Sequence, residues 1–116
     1  MKAFIRLMKA LSDPNRMKMI KMLHFRSFCV CEIKEALNVA QSTASKHLKI
    51  LEDAGLVTSV KDGLWASYSL DDKSGSPYSA HINKTLKNWL DDEPEIRDLV
   101  QTLSDINRHE IMAKTG

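Results

Sequence analysis

A chain of 116 residues, 43% hydrophobic and 28% charged, has the make-up of one soluble globular unit, long enough for a modest core. It has no internal repeat or low-complexity tract, and no apolar run approaches the 18 or so residues of a membrane span. The net charge is only +2, yet residues 1–50 hold ten Lys/Arg against three Asp/Glu, and residues 51–116 hold seven against twelve. So basic an N-terminal half suits a polyanionic partner.

In chain order, Phe4, Leu7, Met8 and Leu11 fall at helical spacing and predict a first helix over 4–11. Asp13-Pro14 starts a second, with Asp as N-cap and Pro in the first turn, and Met17, Ile20, Met22 and Leu23 form its apolar face. Cys29 to Ala36 reads as a short third helix, Asn38-Val39-Ala40 as a turn, and Gln41 to Ala54 as a fourth helix ended by Gly55. Two short helices joined by a tight turn make a helix-turn-helix, here about 29–54. Leu56–Lys61 and Leu64–Leu70 are strand-like, joined by the hairpin signal Asp62-Gly63, a wing over about 56–70. Residues 71–79 read as a loop. Ile82, Leu86, Trp89 and Leu90 predict a fifth helix from Ala80, and Ile96, Leu99, Val100, Leu103 and Ile106 a sixth. Trp89 and Met8, Met17, Met19 and Met22 read as core. The expected fold is mainly α with a small β-hairpin: a single winged helix-turn-helix domain over 1–116, in the order helix-helix-helix-helix-wing-helix(-helix). The terminal helices exceed what a winged core needs. Their apolar faces, above all the stripe Ile96–Leu99–Val100–Leu103, predict a homodimer interface.

The fourth helix divides in two. Gln41, Ser42, Thr43, Ser45, Lys46 and His47 are short or hydrogen-bonding, whereas Leu48, Ile50, Leu51 and Ala54 are apolar and read as its anchor. That division suits a recognition helix whose first turns reach base edges in the major groove of double-stranded DNA.

Cys29-Val30-Cys31-Glu32 places Cys29 at an N-cap and Glu32 at N3, a capping box with sulfur in place of a hydroxyl. Cys31 lies in the first turn, where the helix dipole is expected to lower thiol pKa values. Two such thiols are soft ligands for a thiophilic ion. Residues i and i+2 of a helix point to different faces, so joining both sulfurs to one ion predicts unwinding of that turn.

Together, Ala10-Leu11-Ser12-Asp13-Pro14-Asn15-Arg16-Met17, Cys29-Val30-Cys31-Glu32-Ile33, Gln41 through Lys49, Gly55-Leu56-Val57, Asp62-Gly63 and Tyr68 closely resemble the ArsR/SmtB family of bacterial metal-sensing repressors, over residues 3–70. The resemblance implies a dimeric winged-helix repressor released from its operator by an inducer. By position, Gln41, Ser42, Thr43, Ser45, Lys46, His47 and Lys49 match DNA contacts of the reading helix, and Lys61, Asp62, Gly63 and Trp65 match the wing. Cys29 and Cys31 match the family's arsenite motif, implying arsenite or antimonite as inducer and no tightly bound cofactor; Lys34 stands where that motif often carries a further Cys. Ala40 stands where the family usually has a Ser N-cap, a loss of about 1 kcal/mol. The zinc-type arrangement on the fifth helix is absent, His81 being the only His there; His24 and His109 lack partners at ligand spacing.

No Ser/His/Asp order, phosphate loop or metal-hydrolase motif points to an enzyme. Residues 1–6 lack a signal-peptide pattern, so the cytoplasm is expected and no membrane partner. Two rival readings stand beside this one: a repressor in which the same two cysteines sense oxidation, and a winged-helix binding protein with no inducer.

Overall fold

The computed structural model describes residues 1–72 and 76–106. The elements are α1 (Lys2–Leu11), α2 (Pro14–Leu23), β1 (Phe28–Cys29), α3 (Val30–Leu37), α4 (Gln41–Asp53), β2 (Val57–Asp62), β3 (Trp65–Leu70), α5 (Pro77–Leu86) and α6 (Pro94–Leu103). His109 and residues 73–75 of the predicted loop lie outside the described residues.

Local chemistry accounts for the boundaries. The Asp13 carboxylate accepts the amides of Asn15 at 2.8 Å and Arg16 at 3.1 Å, and Pro14 opens α2. Asn38 ends α3 in the left-handed conformation at φ 55°, which Asn tolerates better than most residues, and turns the chain toward α4. Gly55 does the same beyond α4 at φ 78°. Pro77 starts α5 within the stretch read as a loop, three residues earlier than periodicity placed it.

The sheet is antiparallel, in the order β1-β3-β2. β1 is too short for any periodicity, and the sequence carries no sign of it. It pairs Phe28 with Tyr68 and Cys29 with Ser67. The wing pairs Val57 with Leu70 through Asp62 with Trp65, so the two turn residues are Gly63 and Leu64, one position later than expected. Gly63 holds φ +61° at the first turn position, the Gly-X order of a type II′ hairpin.

The core is built from Leu7, Met19, Ile20, Met22, Phe28, Ile33, Leu48, Leu51, Leu56 and Val57. α2 lies at its centre, packed against α1, α3, α4, α6 and β3. Its second half is enclosed on all sides, Lys21 included. α6 packs on α2 and α3 of its own chain, burying Ile96, Leu99 and Leu103. Three of the four stripe residues assigned to a dimer are therefore used within the chain, with Val100 half-buried. Trp89 is also corrected: it follows the end of α5 and is 56% exposed. No described helix is long and apolar enough to cross a membrane.

Candidate functional site

α3, the Asn38–Ala40 turn and α4 stand as a helix-turn-helix, with β2 and β3 as the wing behind it. α4 buries Ala44, Leu48 and Leu51 at i, i+4 and i+7, which fixes its rotation. Gln41, Ser42, Ser45 and Lys46 are therefore exposed along one side, with Thr43 half-buried. Ala40 caps the helix with no side-chain bond, leaving the first amides of α4 open to an external acceptor.

Three neighbours differ from expectation. His47 is half-buried, and its Nδ1 accepts from Arg16 Nη1 at 3.1 Å, so it packs inward against α2. Lys49 is exposed but ion-paired to Asp53 at 3.1 Å, and this carboxylate raises its pKa. Ile50, read as part of the anchor, is exposed, because i+2 from Leu48 lies on the opposite side of the helix.

On the wing, Lys61 and Gly63 are exposed, Leu64 at the tip is 94% exposed, and Trp65 is half-buried. A Cβ at Gly63 would meet nothing within 4 Å, so its need for glycine is the positive φ alone. Ser59 Oγ donates to Glu52 Oε2 at 2.9 Å, tying β2 to the end of α4.

The cysteines meet where β1 becomes α3. Cys29 is the N-cap, with extended backbone at φ −84° and ψ 166°, and Cys31 is the second helical residue. Cys29 lies outside the helix as its N-cap, so the i/i+2 rule for two helical residues does not apply to the pair, and the Cys31 thiol is among the groups that raise the Cys29 pKa. The capping box is present, with the Cys29 amide donating to Glu32 Oε1 at 2.9 Å.

Cys29 is 1% exposed, and burial pushes its thiol pKa up to about 12, with the neighbouring Cys31 thiol adding to the rise. The Glu32 amide pulls it down and the Glu32 carboxylate raises it. The expected helix-dipole lowering is therefore overturned at Cys29, where desolvation of the charged form outweighs one amide. Cys31 is half-buried and opens toward solvent. Among the described residues, no three His, Cys, Asp or Glu side chains are grouped to hold a metal ion. His81 stands exposed on α5, and the His24 Nε2–H donates to the Asn83 carbonyl at 2.7 Å.

Two arrangements have no clear signature in the sequence. Arg26 stacks 3.8 Å above the Phe28 ring, pairs with Glu32 Oε2 at 3.3 Å and donates to the Ile106 carbonyl at 3.0 Å, linking the end of α6 to the thiol pair. Lys21, 2% exposed, donates to the carbonyls of Leu86 at 2.8 Å, Lys87 at 3.1 Å and Trp89 at 2.7 Å, and pairs with Asp91 at 2.7 Å. The only sequence signal for the latter is a lone cation inside Met19-Ile20-Lys21-Met22-Leu23.

Residues 13–59 match the model of bacterial regulatory proteins of the arsR family. The arsenical resistance operon repressor of Bacillus subtilis (strain 168) is 44% identical over 66 residues, 56% of this chain and 63% of that protein. The protein of the same name from Staphylococcus xylosus is 34% identical over 80 residues, 69% of this chain and 73% of that protein. Among solved structures, the homodimeric winged helix-turn-helix DNA-binding domain of a possible ArsR-family regulator from Mycobacterium bovis superimposes with a TM-score of 0.62 at 23% identity. It covers 90% of this chain and 80% of that one, and the likeness shows the winged helix-turn-helix fold.

Proposed function

From the premise that this chain belongs to the arsR family of bacterial regulatory proteins, we propose that it is a cytoplasmic, homodimeric, DNA-binding transcriptional repressor, released from its operator by arsenite or antimonite at Cys29 and Cys31. The observation that carries the inducer assignment is the placing of both thiols at the N-terminus of α3, Cys29 as N-cap and Cys31 as the second helical residue. Their chemistry suits a soft, thiophilic ion bound through two protein sulfurs. Arsenous acid condenses with thiols, each S–H proton leaving with a hydroxide as water, so a raised thiol pKa is no bar to ligation.

The consequence for the protein is local. Cys29 holds three roles at once: its sulfur takes part in the capping box, its amide is held by Glu32, and its backbone pairs with Ser67. It is closed off from solvent. Ligating its sulfur therefore displaces neighbours, weakens the first turn of α3 and disturbs the β1–β3 pairing. α3 packs on α4, and β3 is half of the wing, so one event reaches both DNA-reading elements.

Gln41, Ser42, Ser45 and Lys46 read or approach DNA from α4, with Thr43 at their edge. Lys61, Gly63 and Trp65 belong to the wing contact. His47 and Lys49 enter as packed and paired residues flanking that surface. For the dimer, one exposed apolar face is Phe4 with Tyr78, 40% and 47% exposed, whose rings meet edge-on at 5.3 Å between α1 and α5.

The placing of two thiols at one helix N-terminus also supports a second reading, in which oxidation of the pair is the signal. Titrating reduced protein on the DNA upstream of its own coding sequence with arsenite, antimonite, cadmium, zinc and peroxide separates the two. Release by arsenite under reducing conditions is expected. Release by peroxide alone establishes the second reading, and release by none of them removes both.

A further inference from the structure

We infer that the basic flank of α1, formed by Lys2, Arg6 and Lys9, is a phosphate-backbone contact for the same DNA duplex that α4 reads. The inference rests on the repressor reading and extends its interface to an element outside the helix-turn-helix and the wing. α1 is Lys-Ala-Phe-Ile-Arg-Leu-Met-Lys-Ala-Leu, with no acidic residue. Lys2, Arg6 and Lys9 recur at i, i+4 and i+7 and share one face, while Leu7 and Ala10 are buried in the core. Among the described residues, no carboxylate pairs with any of the three.

The position of this flank is set by α4. Ser42, Lys46 and Ile50 follow one another at i, i+4 and i+8 along the exposed side of the reading helix. Ile50 then forms one wall of a cleft of about 650 Å³ whose other wall carries Lys2, Arg6 and Lys9. The line of the reading face thus runs directly into a cationic groove. A single guanidinium holds the two helices in register: Arg16 Nε donates to the Ala10 carbonyl at 2.6 Å, Nη2 to the Lys9 carbonyl at 3.3 Å, and Nη1 to His47 Nδ1 at 3.1 Å. Arg16 therefore ties the C-terminal end of α1 to the middle of α4, and the three cations keep a fixed place beside the reading surface. A duplex seated on α4 presents a phosphate strand on each side of the major groove, and the α1 flank offers its three cations to one of them.

The test is the salt dependence of binding to the upstream duplex and to an unrelated duplex of equal length. The protein is the 116-residue chain and its combined Lys2→Gln, Arg6→Gln, Lys9→Gln variant, with Lys46→Ala alongside. All three changed residues are exposed, so the fold is expected to survive, which circular dichroism checks. Removing one phosphate-binding cation flattens the plot of log affinity against log salt by about 0.9, so the combined variant should be shallower by roughly 2 to 3 units for each protomer, about 5 for a bound homodimer. Its preference for the upstream duplex should be unchanged. A slope equal to wild type, with Lys46→Ala flattened, overturns the α1 assignment and leaves the repressor reading standing. A wild type that does not distinguish the two duplexes overturns the repressor reading instead, and the slope of the combined variant still decides whether α1 touches DNA. Binding to neither duplex removes both.

Discussion

Cys29 pairs across the sheet with Ser67, so the residue that caps α3 is also the point where the thiol pair joins the wing. The Glu32 carboxylate, itself held by Arg26, keeps the Cys29 amide in place at 2.9 Å. A change of ligation at one sulfur is thus felt at a helix N-terminus and at a strand pair together.

Removal of either thiol should abolish the arsenite response while leaving repression intact. Cys29→Ser keeps a capping atom, and Cys31→Ser lies at a half-buried position, so both should fold. Lys34 sits three residues from Cys31, on the same face of α3, so Lys34→Cys should tighten arsenite binding. Release of a Cys29→Ser protein from its operator by arsenite would refute the ligand assignment. The measurement is fluorescence anisotropy of labelled operator.

The buried thiol should respond to pH in a defined direction. With a folded pKa of about 12 against an ordinary 9.0, Cys29 is favoured in its neutral form by the fold. The stability this gives is fully present below pH 9 and is lost as pH rises through the window from 9 to about 12. Alkylation of native protein should therefore mark Cys29 far more slowly than Cys31 at pH 8–9, with a rate that keeps climbing and shows no plateau in that range. Mass mapping of alkylated peptides reads this directly, and equal labelling of both thiols at pH 8 would contradict it.

Lys21 should be a major contributor to stability. Its ammonium joins α2 to the Leu86–Asp91 turn, where Leu90 adopts φ +69°, a strained left-handed conformation for a leucine. Lys21→Met keeps the length and loses the donors, at an expected cost of about 2–4 kcal/mol, since carbonyls paired with a charged donor lose it inside the protein. Urea denaturation measures the loss; a change below about 0.5 kcal/mol would place the turn under other control.

Dimerisation should depend on the α1–α5 face rather than on α6. Phe4→Asp or Tyr78→Asp puts a charge on an exposed apolar surface and should shift sedimentation from twice the 13.2 kDa chain mass to the single chain. Val100→Asp, at a half-buried position of α6, should leave a folded dimer. Dimers that survive Phe4→Asp and dissociate with Val100→Asp would restore the α6 interface.

The sequence by itself determined the order of the helices, the helix-turn-helix and the hairpin, because each rests on local signals: Asp13-Pro14, the Asn38 turn, Gly55 and Gly63. It also marked which side of α4 is polar, since 3.6-residue periodicity separates Ala44, Leu48 and Leu51 from Gln41, Ser42, Ser45 and Lys46. Four matters were decided only by tertiary structure. The two-residue strand β1 exists because β3 is there to pair with it. The Cys29 thiol is raised because the fold buries it, whereas sequence position alone argues from the helix dipole. Ile96, Leu99 and Leu103 read as a dimer interface until α6 is seen lying on α2 and α3. Arg16 and Lys21 are ordinary surface cations in sequence, and only the packed chain brings their acceptors, six to 68 residues away, within reach of a hydrogen bond. Periodicity reports that a side has to be covered; which partner covers it is a long-range question, settled by how the helices stack.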